Sequence, residues 1–535
     1  MKSFKFQAIV LAMVLIVAFV ACSSVFAEVD ITIAAGSEPG TLDPNAEIGN
    51  NVISMNNHMW EGLYKRDAND QIVYGMAKDA VESDDRLTWT FTLRDDIFWS
   101  DGQPVKAQDF EYSWKRLTAG GYDYSYFLDC VAGAKDVMNG ADKDTMQCKA
   151  LDDKTFQVKL VAPNANFKEI CAYGVTVPVR QDIIEKYGDA WYQDPSTYIT
   201  NGPYKLAEWD HQDKLVMVKN DKYYDLASLG PDKITWSLLE DDNAIMTAFE
   251  SGDVMYANAF PSEEYDRLNG MGVVQTHPEL GTYYIEVESG EKAVPELKDP
   301  KVRRALALAI DRNYIVNNLV KGGYTAANSY INYGFTYPDG SDYKDHGDAW
   351  WNNDTYDANC EEAKKLMADA GYPDGKGFPV ITYMSNASSN HNAIAEYVQN
   401  CWKTVLGVTA NYTTQEWQVF ISTRNAGDYE LARGGWTVDY HDPLGLFQLF
   451  QTGNGNNDAH WSNADYDAAL DEAATTDDNN VRYDAFHKAE AVLGQELPVI
   501  PIYYYADMYL LDTTKWQGYY TEVDGTHFQY VKPVA

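Results

Sequence analysis

Residues 411–443, NYTTQEWQVFISTRNAGDYELARGGWTVDYHDP, change periodicity twice within a short span. Polar and bulky residues alternate first, as on a half-buried strand. Trp417, Phe420 and Ile421 then fall at i, i+3 and i+4, the spacing of one helix face. Gly427 ends that helix, and residues 429–433 read as a second short strand that stops at Gly434-Gly435. Asp442-Pro443 closes the segment as a turn. Strand, helix and strand thus follow one another within this stretch.

The same segment carries a chemical pattern. Trp436 follows two glycines, and Asp439 lies three residues on. An aromatic ring beside a carboxylate suits capture of a cationic group. Arg424 and Arg433 suit the opposite charge, a carboxylate held by paired N–H donors. A free peptide carries both charges, one at each end. The alternative is structural: Trp436 belongs to the core and Asp439 caps a helix or turn.

A chain of 535 residues is too long for one hydrophobic core, so two or three domains are expected. Residues 1–27 read as an export signal, with Lys2 and Lys5 ahead of an apolar run from position 8 to 20. Cleavage after Ala27 competes with a lipobox-like 19–22 in which Cys22 carries lipid. No later stretch is apolar enough to span a membrane. The formal charge of −38, from 80 acidic and 42 basic residues, excludes a nucleic-acid-binding face of the usual basic kind. Outside the cytoplasm thiols pair readily. Cys130 with Cys148 is the leading expected bridge, Cys360 with Cys401 a second, and Cys171 would stay free.

Along the chain, residues 29–33 read as a strand and residues 52–64 as a helix. Trp89, Phe91 and Leu93 alternate with polar residues, as do Phe156, Val158 and Leu160. Residues 67–191 therefore read as an inserted α/β lobe. Residues 215–219 and 234–236 continue the first domain, and residues 281–287 form a hinge strand into the last lobe. Asp299 is placed to cap a helix that has Pro300 at its first position. The segment from Pro498 to Tyr505 crosses back. HExxH and GxSxG are both absent, so the chain is expected not to be an enzyme and to need no metal or cofactor.

Several of these runs resemble one known family. Trp436 with Asp439-Tyr440 matches its Trp-x-x-Asp-Tyr element, and Gln415-Glu416-Trp417 its Gln-Glu-Trp. Residues 37–44, Trp60-Glu61-Gly62-Leu63 and residues 89–116 match further motifs. The family is the oligopeptide/dipeptide-binding proteins of ABC importers, within family 5 of the bacterial extracellular solute-binding proteins. The resemblance implies a type II periplasmic-binding-protein fold: two hinged lobes and an extra inserted α/β domain. The expected boundaries are a signal at 1–27, a first domain at 28–64, 194–282 and 501–535, an inserted lobe at 65–193, and a second ligand-binding lobe at 283–500.

The implied function is capture of oligopeptides in a closing cleft outside the cytoplasm, in the periplasm or on the outer face of the cell membrane. The peptide would then pass to the permease subunits of an ABC transporter. The protein would act as a monomer, touching membrane only through an anchor at Cys22. The same fold also serves nickel chelates, haem, opines and oligosaccharides, which are the alternative ligands. In the family the Asp at position 439 meets the peptide ammonium and Trp417 borders a side-chain pocket; Arg424 and Arg433 fall on family positions, the second of which helps bind the peptide carboxylate in some members, and His391 aligns with a family His that can help bind it. Glu38, Pro39, Gly40, Gly435, Thr437 and Tyr440 complete the implied peptide-binding set. Two departures stand out. A disulfide of some relatives is replaced by Gly281 and Thr437, and a family Lys is shifted to Lys321, with Val320 in its place.

Overall fold

The computed structural model describes residues 28–534 apart from 35, 47–49, 70, 439, 477, 523 and 524. The export segment, Cys22 and Asp439 thus lie outside the described residues. No helix among the described residues is long and apolar enough to cross a membrane.

One eleven-stranded mixed sheet organises the molecule. Its path runs Ala410–Gln415, Ile381–Asn386, Leu431–Thr437, Val274–Val287, Val499–Leu511, Tyr256–Ala257, Asp30–Ala34, Lys233–Ser237, Lys214–Lys219 and Tyr204–Asp210, with Thr325–Ala326 added beside Val499–Leu511. Val274–Val287 and Val499–Leu511 are the two long strands and pair antiparallel. Their early and late halves belong to different cores. One core gathers residues between Ile31 and Tyr256 together with Tyr509, Leu511, Phe528 and Val531. The other gathers residues between Leu280 and Tyr503. The two strands therefore join two lobes, and burial along Val274–Val287 shows the passage: the first half is partly exposed, and residues 280–287 are buried.

A separate four-stranded antiparallel sheet, built from Ala77–Glu82, Thr88–Leu93, Thr155–Lys159 and Cys148–Ala150, packs on the helix Ala107–Ala119. The alternation of Trp89, Phe91 and Leu93 buries all three on one face. This sheet is the inserted α/β layer. Asp299 accepts a hydrogen bond from the Lys301 amide at 2.9 Å, capping the helix Pro300–Leu308.

Three expectations change. The first helix spans Asn50–Met59 and stops well before Tyr64, which instead opens the strand Tyr64–Arg66. Tertiary partners override the helical pattern there: the Glu61 amide donates to Asn201, and Gly62 lies against the Cys171 carbonyl. The strand expected to end at Gly434-Gly435 runs on to Thr437. Finally, Cys130, Cys148, Cys171, Cys360 and Cys401 are all free and buried. Burial pushes the Cys130 and Cys148 thiols up to about 12, which keeps them protonated and unreactive.

Candidate functional site

The strand Leu431–Thr437 lies beside Val274–Val287 with Thr282 opposite Trp436 and Gly281 opposite Thr437. Glycine is required at 434 and 435 by close approach. A Cβ at 434 would overlap the Tyr284 ring, and one at 435 the Tyr505 hydroxyl. The facing positions Gly281 and Thr437 show why a cysteine pair would be bridgeable there, and neither is cysteine.

Tyrosines cover the meeting of the long strands. Tyr283 stacks on Tyr503 at 4.7 Å, Tyr324 leans on Tyr503 at 5.1 Å, and Tyr505 stands perpendicular to Tyr503 at 5.7 Å. The Arg433 guanidinium sits 5.2 Å over the Tyr283 ring and donates to the Tyr505 hydroxyl at 3.3 Å. Its Nε is buried without a hydrogen-bond partner. Charge-to-ring contact and one hydrogen bond leave most of this cation's donors for another acceptor. His391, in the first turn of the helix Ser389–Cys401, has Nδ1 3.2 Å from the Tyr283 hydroxyl. Burial first, and then Arg433, drive its pKa down to about 4. At neutral pH it is uncharged and serves as a hydrogen-bonding group rather than a second cation.

Arg424 differs. It ends the helix Trp417–Asn425, and its guanidinium is held by Asp458 at 2.8 Å, with Glu286 at 3.9 Å. It also reaches the Arg433 carbonyl at 3.5 Å. The expected free arm for a carboxylate is therefore committed inside the lobe. Burial pushes Glu286 up to about 8 in that network. Glu38 is likewise engaged: its carboxylate accepts from the Trp209 indole at 2.9 Å and the Gln212 amide at 2.7 Å, and lies 2.7 Å from His211 Nδ1. Pro39 is buried and Gly40 exposed.

Trp417 is 46% exposed and stacks on Phe420 at 6.1 Å. Phe420 anchors it in a small cluster with Met384, Tyr429 and Ala432. Trp436 is half-buried, and Gly435, Trp436 and Thr437 line a cavity of about 170 Å³ with Glu279 and Tyr505. Tyr440 faces another cavity, beside Trp60, Arg66 and Tyr173 of the opposite lobe. Asp442 pairs with Arg482, which also donates to Asn166 of the inserted layer at 3.1 Å. The structure thus brings together Arg433, His391, Gly435, Trp436 and Thr437. The tyrosines of the crossing strands and Glu279 were not among the site residues that the sequence suggested. The Tyr-Tyr pairs in the two crossing segments were the signal available.

No group of three or more His, Cys, Asp and Glu side chains placed to hold a metal ion occurs among the described residues. The model of bacterial extracellular solute-binding proteins, family 5, matches residues 71–458. The periplasmic oligopeptide-binding protein OppA of Salmonella typhimurium is 34% identical over 505 residues, covering 93% of this chain and 90% of its own.

The chain belongs to family 5 of the bacterial extracellular solute-binding proteins.

Among solved structures, the unliganded open form of the periplasmic murein tripeptide-binding protein MppA matches with a TM-score of 0.84 at 30% identity, covering 95% of this chain and 98% of its own. Haemophilus influenzae OppA in complex with RPPGFSPFR matches at 0.71 and 27% identity, over 95% and 99% of the two chains.

Proposed function

We propose that this protein is the extracytoplasmic binding component of an ABC importer and captures oligopeptides between its two lobes. The observation that carries the reading is the pairing of Arg433, which forms no salt bridge among the described residues, with a neutral His391, beside the strand end Gly435–Thr437, in a family 5 fold. An extended peptide can add to that strand end through its backbone, as in β-augmentation. Its carboxylate meets Arg433 and His391, its ammonium meets Asp439, and its side chains rest among Trp417, Trp436 and the tyrosines. Closure about the crossing strands then buries the guest. Delivery to permease subunits follows, from the periplasm or from an outer-face anchor at Cys22.

The test is titration calorimetry on protein purified through unfolding and refolding, so that no ligand is carried over. Free tri- to pentapeptides are expected to bind, and N-acetylated ones poorly. Asp439→Asn is expected to weaken free-amine peptides by at least about tenfold, ~1.4 kcal/mol. Equal affinity for free and acetylated peptides would remove Asp439 from the site. Tight binding of a non-peptide solute with no peptide binding would replace the reading.

A further inference from the structure

The cavity beside Trp436 holds a carboxyl group on which no described cation acts. Glu279 forms one wall, with Gly435, Trp436, Thr437 and Tyr505 as the others. Its place follows from an irregularity in the crossing ladder. Pro278 stands opposite Ala506 and Thr282 opposite Tyr504, so residues 279–281 together face Tyr505 alone. Such a bulge breaks the in–out alternation of a strand and re-aims the side chains within it. The bulge lies against the Trp436 strand end: the Val438 amide donates to the Leu280 carbonyl at 2.9 Å.

The surroundings sharpen the point. Burial and the like-charged Asp507 both push the Glu279 carboxyl up, to about 7, and no cation contributes. Asp507 stands opposite His277 on the paired strand. Arg433 donates to the hydroxyl of Tyr505, and this ring feels the charges of both Arg433 and Glu279. A half-buried indole and a carboxylate across a small cavity are the two partners that a cation prefers when it leaves water.

Resting on the peptide reading above, we propose that this cavity receives the basic side chain of a bound peptide, with Glu279 as its counter-ion and the Trp436 ring as its apolar wall. The protein then selects peptides with lysine or arginine at one fixed position. The terminal ammonium is the competing occupant, and the experiment separates the two.

The experiment is calorimetry with positional sets of alanine peptides in which one residue is lysine or norleucine, its neutral near-isostere. In the unmodified protein, one position is expected to favour lysine over norleucine by at least about tenfold. Glu279→Gln is expected to reduce that ratio to below about threefold, and Glu279→Lys to invert it. Lysine and norleucine binding equally at every position, or full selectivity surviving in Glu279→Gln, would overturn the proposal while leaving peptide capture intact. Selectivity that follows acetylation of the terminal amine rather than the side chain would assign the cavity to the terminus and overturn it too. Failure of every peptide to bind would instead sink the peptide reading and this one with it.

Discussion

Two arginines nine positions apart show how far a residue's role depends on what faces it. Arg424 has Asp458 and Glu286 within its reach, whereas the ionisable groups that act most on Arg433 are tyrosines. The first is a strut and the second an open hand. Removing one member of a largely buried ion pair leaves the other charge stranded, at a cost of ~3 kcal/mol or more. Arg424→Ala is therefore expected to lower the unfolding free energy by about that amount, read from denaturant melts. A change under about 0.5 kcal/mol would show that the pair is no more than a surface contact. The sequence marked both arginines as candidates for one carboxylate, because spacing along the chain carries no trace of Asp458 or Glu286 arriving from elsewhere.

At the level of elements, local patterns were readable wherever one periodicity ruled. The helix Trp417–Asn425, the alternating strand Thr88–Leu93 and the Asp299 cap stand where the residues place them. The misreadings share a cause in long-range contact. Gly434-Gly435 looked like punctuation, yet the strand passes through it because aromatic side chains from Val274–Val287 and Val499–Leu511 occupy the missing Cβ space. The helix after Asn50 stopped early because Asn201, remote in sequence, claims the Glu61 amide. Gly434→Ala tests the first explanation. Its methyl group must displace the buried Tyr284 ring, so a loss of about 1–3 kcal/mol is expected in thermal or chemical melts. A neutral or stabilising result would return that glycine to the status of a strand terminator.

For the whole molecule, the decisive arrangement is one sheet shared by two cores, entered and left through the paired strands Val274–Val287 and Val499–Leu511. Closing the lobes must flex this ribbon without breaking its ladder, and the irregular registers at 278–282 and 283–284 are the places where bending is accommodated. The expected cysteine bridges were misjudged at this scale too: each candidate thiol is swallowed by a core, so the fold rests on packing rather than on cross-links. Because residues 282–286 are buried and paired with a strand on each side, their amide protons reach water only when that waist of the sheet parts. In deuterium the molecule should consequently label from its ends toward its waist, the waist staying dark longest whether the cleft is empty or filled, and early labelling there would mean that the waist, not the lobes, is what gives way.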